Sequence, residues 1–361
     1  MKKHIGFIIG NLDGKGGTER VSTMLANRFA EHGYRVSFIS PRSKGNVFFH
    51  LHKDIHIYCL GKVYNLLQYV RLWHYFYLII RFIIKWRKID VLIDVDMGTA
   101  MFSSPAIKGT QCKEITWDHF NYTVNAAEKA RQKGLKAALQ TSSKMVLLTK
   151  ADREMYIRNF NNTPASFFEQ IYNPLTFDIN MPTSHSEKRV IAVGRLTPQK
   201  GFDYLLNIWQ KIEEKHKDWI LEIVGGGEEE MSLKTIVKDK SLTHVVFTPP
   251  TNDIRSKLTA SSIYVLPSRY EGFPMVLLEA TAMSLPIVAF DCPTGPSEIV
   301  VNDRNGFLVP TFDETLFANK LDALISDPKL RYNMGLESFK ISRQFTFDNI
   351  FEQWERIISE I

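Results

Sequence analysis

The chain has 361 residues, 44% hydrophobic and 23% charged, which is the make-up of an ordinary globular protein with length for two domains. This excludes a disordered chain, a collagen-like repeat and a small disulfide scaffold, and a core of this size needs no covalent staple. The net charge of +6 is uneven: residues 1–170 carry 25 Lys and Arg against 13 Asp and Glu, and residues 171–361 carry 20 against 26, so the halves stand at +12 and −6.

From the N-terminus, two lysines precede an apolar run at residues 5–9, too short for the core of a signal peptide, which reads as a first strand. Further strands are expected at 35–39, 55–59, 91–95, 114–117 and 145–148, with a helix at 18–31 whose Val21, Met24, Leu25 and Phe29 form one apolar face. The longest apolar stretch, residues 72–80, falls well short of the ~20 residues that cross a bilayer. In the second half, strands are expected at 190–193, 220–224, 245–247, 263–266 and 287–290, and helices at 202–214, 228–238, 253–260, 274–283 and 314–325. Strands that are apolar throughout and alternate with helices predict parallel sheets covered on both faces. The rhythm occurs twice, so two doubly wound α/β domains are expected, at 1–170 and 171–346. They divide near Asn173-Pro174, where the charge changes sign and before a polar stretch at 181–188. A last helix, 347–361, is expected to pack back towards the N-terminal domain. Cys59, Cys112 and Cys292 are too widely spaced for a CxxC or zinc pattern and suit a reducing compartment.

Ligands of open α/β sheets bind beyond the carboxyl ends of strands, so the loops there carry the candidate chemistry. The first, Asn11 to Arg20, holds Gly14, Gly16 and Gly17 before a helix N-terminus, a place for an anion or a plain connector. It fails the GxGxxG fingerprint at Glu19 and lacks the P-loop Gly-Lys-Ser/Thr. Val193-Gly-Arg-Leu-Thr-Pro-Gln-Lys-Gly201 is sharper, because Arg195 and Lys200 between a strand and a helix suit a diphosphate. The alternative is two solvated cations. Gly225–Gly227 close another strand, as a close approach or a turn. Leu266-Pro-Ser-Arg-Tyr-Glu-Gly-Phe-Pro-Met-Val-Leu-Leu-Glu279 places Glu271 in a loop and Glu279 two turns on, inside an apolar helix. A carboxylate there must find hydrogen-bond donors, and sugar hydroxyls are suitable ones. Asp94-Val-Asp96 is a DxD string that reads as a strand end before it reads as a metal site, and no metal is expected. His119 follows a strand beside Asp118; it could act on a hydroxyl, orient a sugar or be structural.

Together, Gly194-Arg195 … Lys200-Gly201, Gly225–Gly227, Glu271-Gly272-Phe273-Pro274 … Glu279, Gly295 … Glu298 and Asn305-Gly306 resemble glycosyltransferase family 4, with the E-x7-E motif most specific. Gly16-Gly17-Thr-Glu19-Arg20 is similar to that family's glycine-glycine loop, and Trp117-Asp-His119 stands where members often have an active-site histidine. The resemblance implies a GT-B fold, with two Rossmann-like domains facing a cleft, and a retaining enzyme that uses a sugar nucleotide, UDP by expectation, as substrate without a cofactor. It implies that Arg195 and Lys200 hold the donor diphosphate and that Glu271, with the backbone of Gly272, Phe273, Pro274 and Met275, meets the transferred sugar. Glu279 would bind the ribose, Gly16 and Gly17 would border the diphosphate, and His119 would lie near the sugar and acceptor. Phe247-Thr-Pro-Pro250 departs from the family, in which many members have glycine at the place of Pro249.

The segment 62–88 is rich in aromatics and cations and has no acidic residue before Asp90. It reads as a basic amphipathic helix or helix pair, either lying on anionic lipid or forming a core helix with a solvated end. Nucleic acid is not expected as a partner. The resulting expectation is transfer of a hexose or N-acetylhexosamine to a lipid-linked or polysaccharide acceptor in cell-surface glycan synthesis, by a cytoplasmic protein peripheral on the inner face of the membrane. The alternatives are a nucleotide-sugar epimerase of the same fold and a non-catalytic, membrane-docked binding subunit.

Overall fold

The computed structural model describes residues 2–177 and 187–361, so most of the polar stretch at 181–188 lies outside the described residues. The chain forms two compact units: the first runs to Pro174 and takes in Asp348–Ile361, and the second is Leu175–Phe347.

The first unit is built on seven parallel strands: β1 (His4–Ile9), β2 (Arg35–Ser40), β3 (His56–Cys59), β4 (Val91–Val95), β5 (Lys113–Trp117), β6 (Lys144–Leu147) and β7 (Phe168–Gln170), in the order β3-β2-β1-β4-β5-β6-β7. Every residue of β1 and β4 is buried, the polar His4 and Asp94 included, as strands covered by helices on both faces are. The register sets Phe7 beside Phe38 and Ile93. The C-terminal helix Phe347–Glu360 closes this unit's core: Phe351 meets the Phe29 ring at 4.9 Å and Trp354 meets Trp117 at 4.9 Å. Its buried Phe351, Trp354, Ile357 and Ile358 contribute roughly 1.5–3 kcal/mol each.

The second unit repeats the plan with six parallel strands: β8 (Arg189–Val193), β9 (Ile220–Val224), β10 (Val245–Thr248), β11 (Ile263–Leu266), β12 (Ile287–Phe290) and β13 (Gly306–Val309), in the order β10-β9-β8-β11-β12-β13. Helices Phe202–Glu213 and Glu314–Ser326 bury Leu205, Leu206, Trp209, Phe317 and Leu321 against it. All expected strands are present, and β7 and β13 are additional. The strand order reverses between β1 and β4 and again between β8 and β11, so each sheet has a crevice at those carboxyl ends.

Candidate active site

In the second unit the loops that leave β8 and β11 are tied together. Gly201 has φ +65°, and a Cβ there would lie 2.1 Å from the Pro267 carbonyl oxygen, so only glycine lets the loops touch. The Arg269 amide donates to the Gln199 carbonyl at 2.8 Å. The Arg269 guanidinium grips both Asp203 oxygens at 2.9 and 2.7 Å and lies 4.4 Å over the Tyr204 ring. This frame sets Lys200 Nζ 2.7 Å from Glu271 Oε1, which also accepts the Ser268 hydroxyl at 2.6 Å. The two residues for which the resemblance implies separate duties are therefore one partly buried ion pair, with Glu271 the buried member. Arg195, in contrast, is exposed and makes no ion pair with the described residues. Burial, and after it the Glu271 charge, raises the nearby Cys292 thiol to about 12, which keeps it protonated.

Glu279 is buried in helix Met275–Ala282 and accepts a hydrogen bond from the Thr176 hydroxyl, so this apolar helix carries its carboxylate with an internal donor. The expected helix start is corrected by one position. Pro274 is the N-cap and has no N–H, so Gly272, Phe273 and Met275 are the backbone groups that can donate. Gly225 and Gly227 pack on neighbouring backbone: a Cβ would lie 1.9 Å from the Gly194 oxygen and 2.4 Å from the Leu196 oxygen, respectively. Asn305 serves its own turn, accepting from the Val301 amide at 2.7 Å, and Gly306 opens β13.

In the first unit, Gly16 caps helix Gly17–Glu31 without a side-chain bond. A Cβ on Gly14 or Gly16 would lie 2.6 Å from a Glu19 carboxylate oxygen. The glycines thus admit this chain's own carboxylate, on the third residue of the helix, where negative charge is favoured. At the end of β5, His119 lies against Trp117, with ring centroids 4.3 Å apart, and its Nε2 is buried without a hydrogen-bond partner among the described residues. Burial lowers its pKa to about 3, so the imidazole is neutral at physiological pH. The adjacent Asp118 does not orient it. That carboxylate turns inward to Asn125, to the Tyr156 hydroxyl at 3.1 Å and to the Phe120 amide at 3.2 Å.

The Asp94-Val-Asp96 string splits between partners. Asp94 accepts from Thr99 at 3.0 Å and Ser103 at 2.6 Å, whereas Asp96 meets Arg131 through both oxygens at 2.9 Å. Asp96 holds φ +114°, a strained conformation fixed by Arg131 and by the Gly98 amide at 2.8 Å. Burial and Asp96 raise Asp118 to about 6, and burial and Asp118 raise Asp152 to about 8. Among the described residues no group of three or more His, Cys, Asp or Glu is placed to hold a metal ion.

Arg131, Asp152, Thr176, Ser268 and Arg269 stand outside the sequence-derived set. Their partners lie far along the chain, with Arg131 and Asp96 separated by 35 residues, Arg269 and Asp203 by 66, and Thr176 and Glu279 by 103. Only the Pro-Ser-Arg run beside Glu271 carried a local signal for any of them.

Two family models match: the description "Glycosyltransferase Family 4" over residues 15–178 and "Glycosyl transferases group 1" over residues 179–340. An uncharacterized glycosyltransferase of Haemophilus influenzae is 38% identical over 99% of this chain and 100% of that protein. The amylovoran biosynthesis glycosyltransferase AmsD of Erwinia amylovora is 29% identical over 98% of each chain. Anabaena HepE, solved in complex with UDP, superposes with a TM-score of 0.80 at 18% identity, covering 99% of this chain and 100% of that one. Both halves are matched, and the chain belongs to glycosyltransferase family 4, with the GT-B fold.

Proposed function

We propose that this glycosyltransferase moves a hexose or N-acetylhexosamine, with retention of anomeric configuration, from a UDP-sugar to a lipid-linked or polysaccharide acceptor in cell-surface glycan synthesis. The observation that carries the reading is the Lys200–Glu271 pair at the ends of β8 and β11, with exposed Arg195 on the same loop as Lys200. Glycosyl transfer separates a cation-like sugar from a departing diphosphate, so catalysis needs positive charge fixed where the leaving group develops its own. Arg195 and Lys200 supply it, and Lys200 needs no reorganisation because Glu271, itself held by the Ser268 hydroxyl, already positions the head group. This is the basis for proposing that the reaction runs without a metal, and undiminished turnover in excess chelator is the expected result.

Glu271 then meets the transferred sugar with the Gly272, Phe273 and Met275 amides beside it, Glu279 takes the ribose hydroxyls, and Gly16 and Gly17 border the diphosphate. His119, being neutral, offers Nε2 to a sugar hydroxyl as a hydrogen-bond partner and does not work by titrating. UDP is supported as the donor nucleotide by the HepE complex, and a surface-polysaccharide setting by AmsD. No helix among the described residues is long and apolar enough to cross a membrane. The basic first half supports a peripheral place on the inner, cytoplasmic face of the membrane. A donor screen that detects released nucleotide by mass, followed by NMR of the product's anomeric proton, tests the whole reading. Absence of release from every UDP-sugar, or an inverted product, would overturn it.

A further inference from the structure

The segment expected to be a basic helix or helix pair is two helices, Gly61–Tyr69 and Phe76–Arg87, joined through a short turn of helix. They are held together by Tyr64 on Phe76, ring to ring at 5.2 Å. The second helix is apolar on two sides. Phe76, Ile80, Ile83 and Ile84 are buried in the core of the first unit. Leu78, Phe82 and Trp86, four residues apart and hence one above the other, face outward at 48, 66 and 62% exposure, with Phe82 stacked on Trp86. These three line a shallow groove with Arg81 and Lys85. Leu66 and Tyr69 of the first helix are 60 and 86% exposed. No Asp or Glu occurs from residue 55 to residue 89, whereas six Lys or Arg do.

We propose that this face seats the protein on an anionic phospholipid surface by inserting Phe82 and Trp86 between headgroups while Lys62 and Lys85 meet the phosphates. The inference rests on the peripheral location proposed above and names the seat and its mode. Charge decides the occupant. A second copy of this face would bring cations against cations with no carboxylate between them, whereas a headgroup layer supplies the missing anions. Exposed aromatic rings ringed by long cationic stems are the pattern that suits the boundary between water and acyl chains.

The test is partitioning of the full chain onto vesicles of phosphatidylethanolamine with phosphatidylglycerol, against vesicles of phosphatidylcholine. Phe82→Ser/Trp86→Ser is expected to lower partitioning on both at least tenfold. Lys62→Ser/Lys85→Ser should lower it several-fold on the anionic vesicles alone, and only at low salt. Quenching of tryptophan fluorescence by brominated acyl chains should fall in Trp86→Phe. Circular dichroism confirms folding, and release of nucleotide with a water-soluble acceptor should be unchanged in all three variants. Partitioning of Phe82→Ser/Trp86→Ser within twofold of wild type overturns the proposal, as does a self-association of the wild type that this variant abolishes. Loss of release in the wild type would overturn the catalytic reading and leave the docking result standing.

Discussion

The carboxyl ends of the two sheets solve the same problem in opposite ways. In the second unit three carboxylates at the switch between β8 and β11 have a charged or hydroxyl partner close by: Lys200 and Ser268 on Glu271, Arg269 on Asp203, Thr176 on Glu279. In the first unit, of the three aspartates Asp96, Asp118 and Asp152 that follow β4, β5 and β6, Asp96 alone is paired with a cation, Arg131. Asp118 and Asp152 are buried on neutral donors with their pKa values raised to about 6 and about 8, and His119 is neutral. Paired charge with an exposed arginine beside it suits a dianionic leaving group, whereas a set of neutral donors and acceptors suits hydroxyls. The same fold built twice thus yields two environments, and the difference lies in which loops carry Lys and Arg.

The largest expected effect breaks the paired side. Lys200→Ala removes the partner of a buried carboxylate, and it should cost about 3 kcal/mol of stability, the lower end for such pairs because Lys200 keeps 19% of its side chain exposed. Turnover should fall roughly 100-fold or more. Adding Glu271→Gln should restore much of the stability in denaturant titrations and none of the turnover. Recovery of both would reduce the pair to a structural role.

Next is the unpaired side, where pH is the probe. Asp152 is raised to about 8 in the fold against an ordinary value near 4 in the unfolded chain. Between those values the unfolded state has released a proton that the folded state keeps, so stability falls as pH rises towards 8. His119, lowered to about 3, acts in the opposite direction, but only below about 6.5. Asp118, raised to about 6, lowers stability in the same direction but mostly below pH 6.5, so from pH 6.5 to 8 the Asp152 contribution is the larger and amounts to at most about 2 kcal/mol. Asp152→Asn keeps the acceptor for the Tyr122 amide and should flatten that decline. Thermal melts at the two pH values decide it; an equal decline in the variant would show that Asp152 does not titrate there.

A smaller effect, about tenfold in Kd, is expected for UDP binding in Glu279→Gln, the loss of a charge-assisted bond to a ribose hydroxyl. Calorimetry should show this with UDP but not with inorganic diphosphate. The smallest belongs to His119. Its change to Asn should lower turnover about five- to tenfold, the worth of one neutral hydrogen bond, and leave the shape of the pH profile unaltered. A limb near pH 6.5 that vanishes in the variant would mean that the imidazole titrates after all.

The division of the chain into strands and helices was legible because buried parallel strands are largely unbroken apolar runs, as at Ile263–Leu266 and Ile287–Phe290. β7 escaped notice: Phe168-Glu-Gln is three residues long and two are polar. β13 was hidden because Asn305-Gly306 drew attention as a motif. At the site, Arg195, Lys200, Glu271 and Glu279 were readable as residue types in strand-end loops. Their pairing was not, since Lys200 meets Glu271 across 71 residues of chain. Asp118 shows the opposite failure, because its neighbour in sequence, His119, faces elsewhere, and its partners Asn125 and Tyr156 come from later helices.

The central claim is that the loop leaving β8 recognises the donor's diphosphate. Titrating UDP and uridine separately into wild type and Arg195→Ala tests it most directly, because Arg195 is exposed and its loss leaves the fold intact. The account predicts at least a tenfold weaker affinity for UDP and an unchanged affinity for uridine. Equal losses for both ligands, or none for UDP, would contradict it.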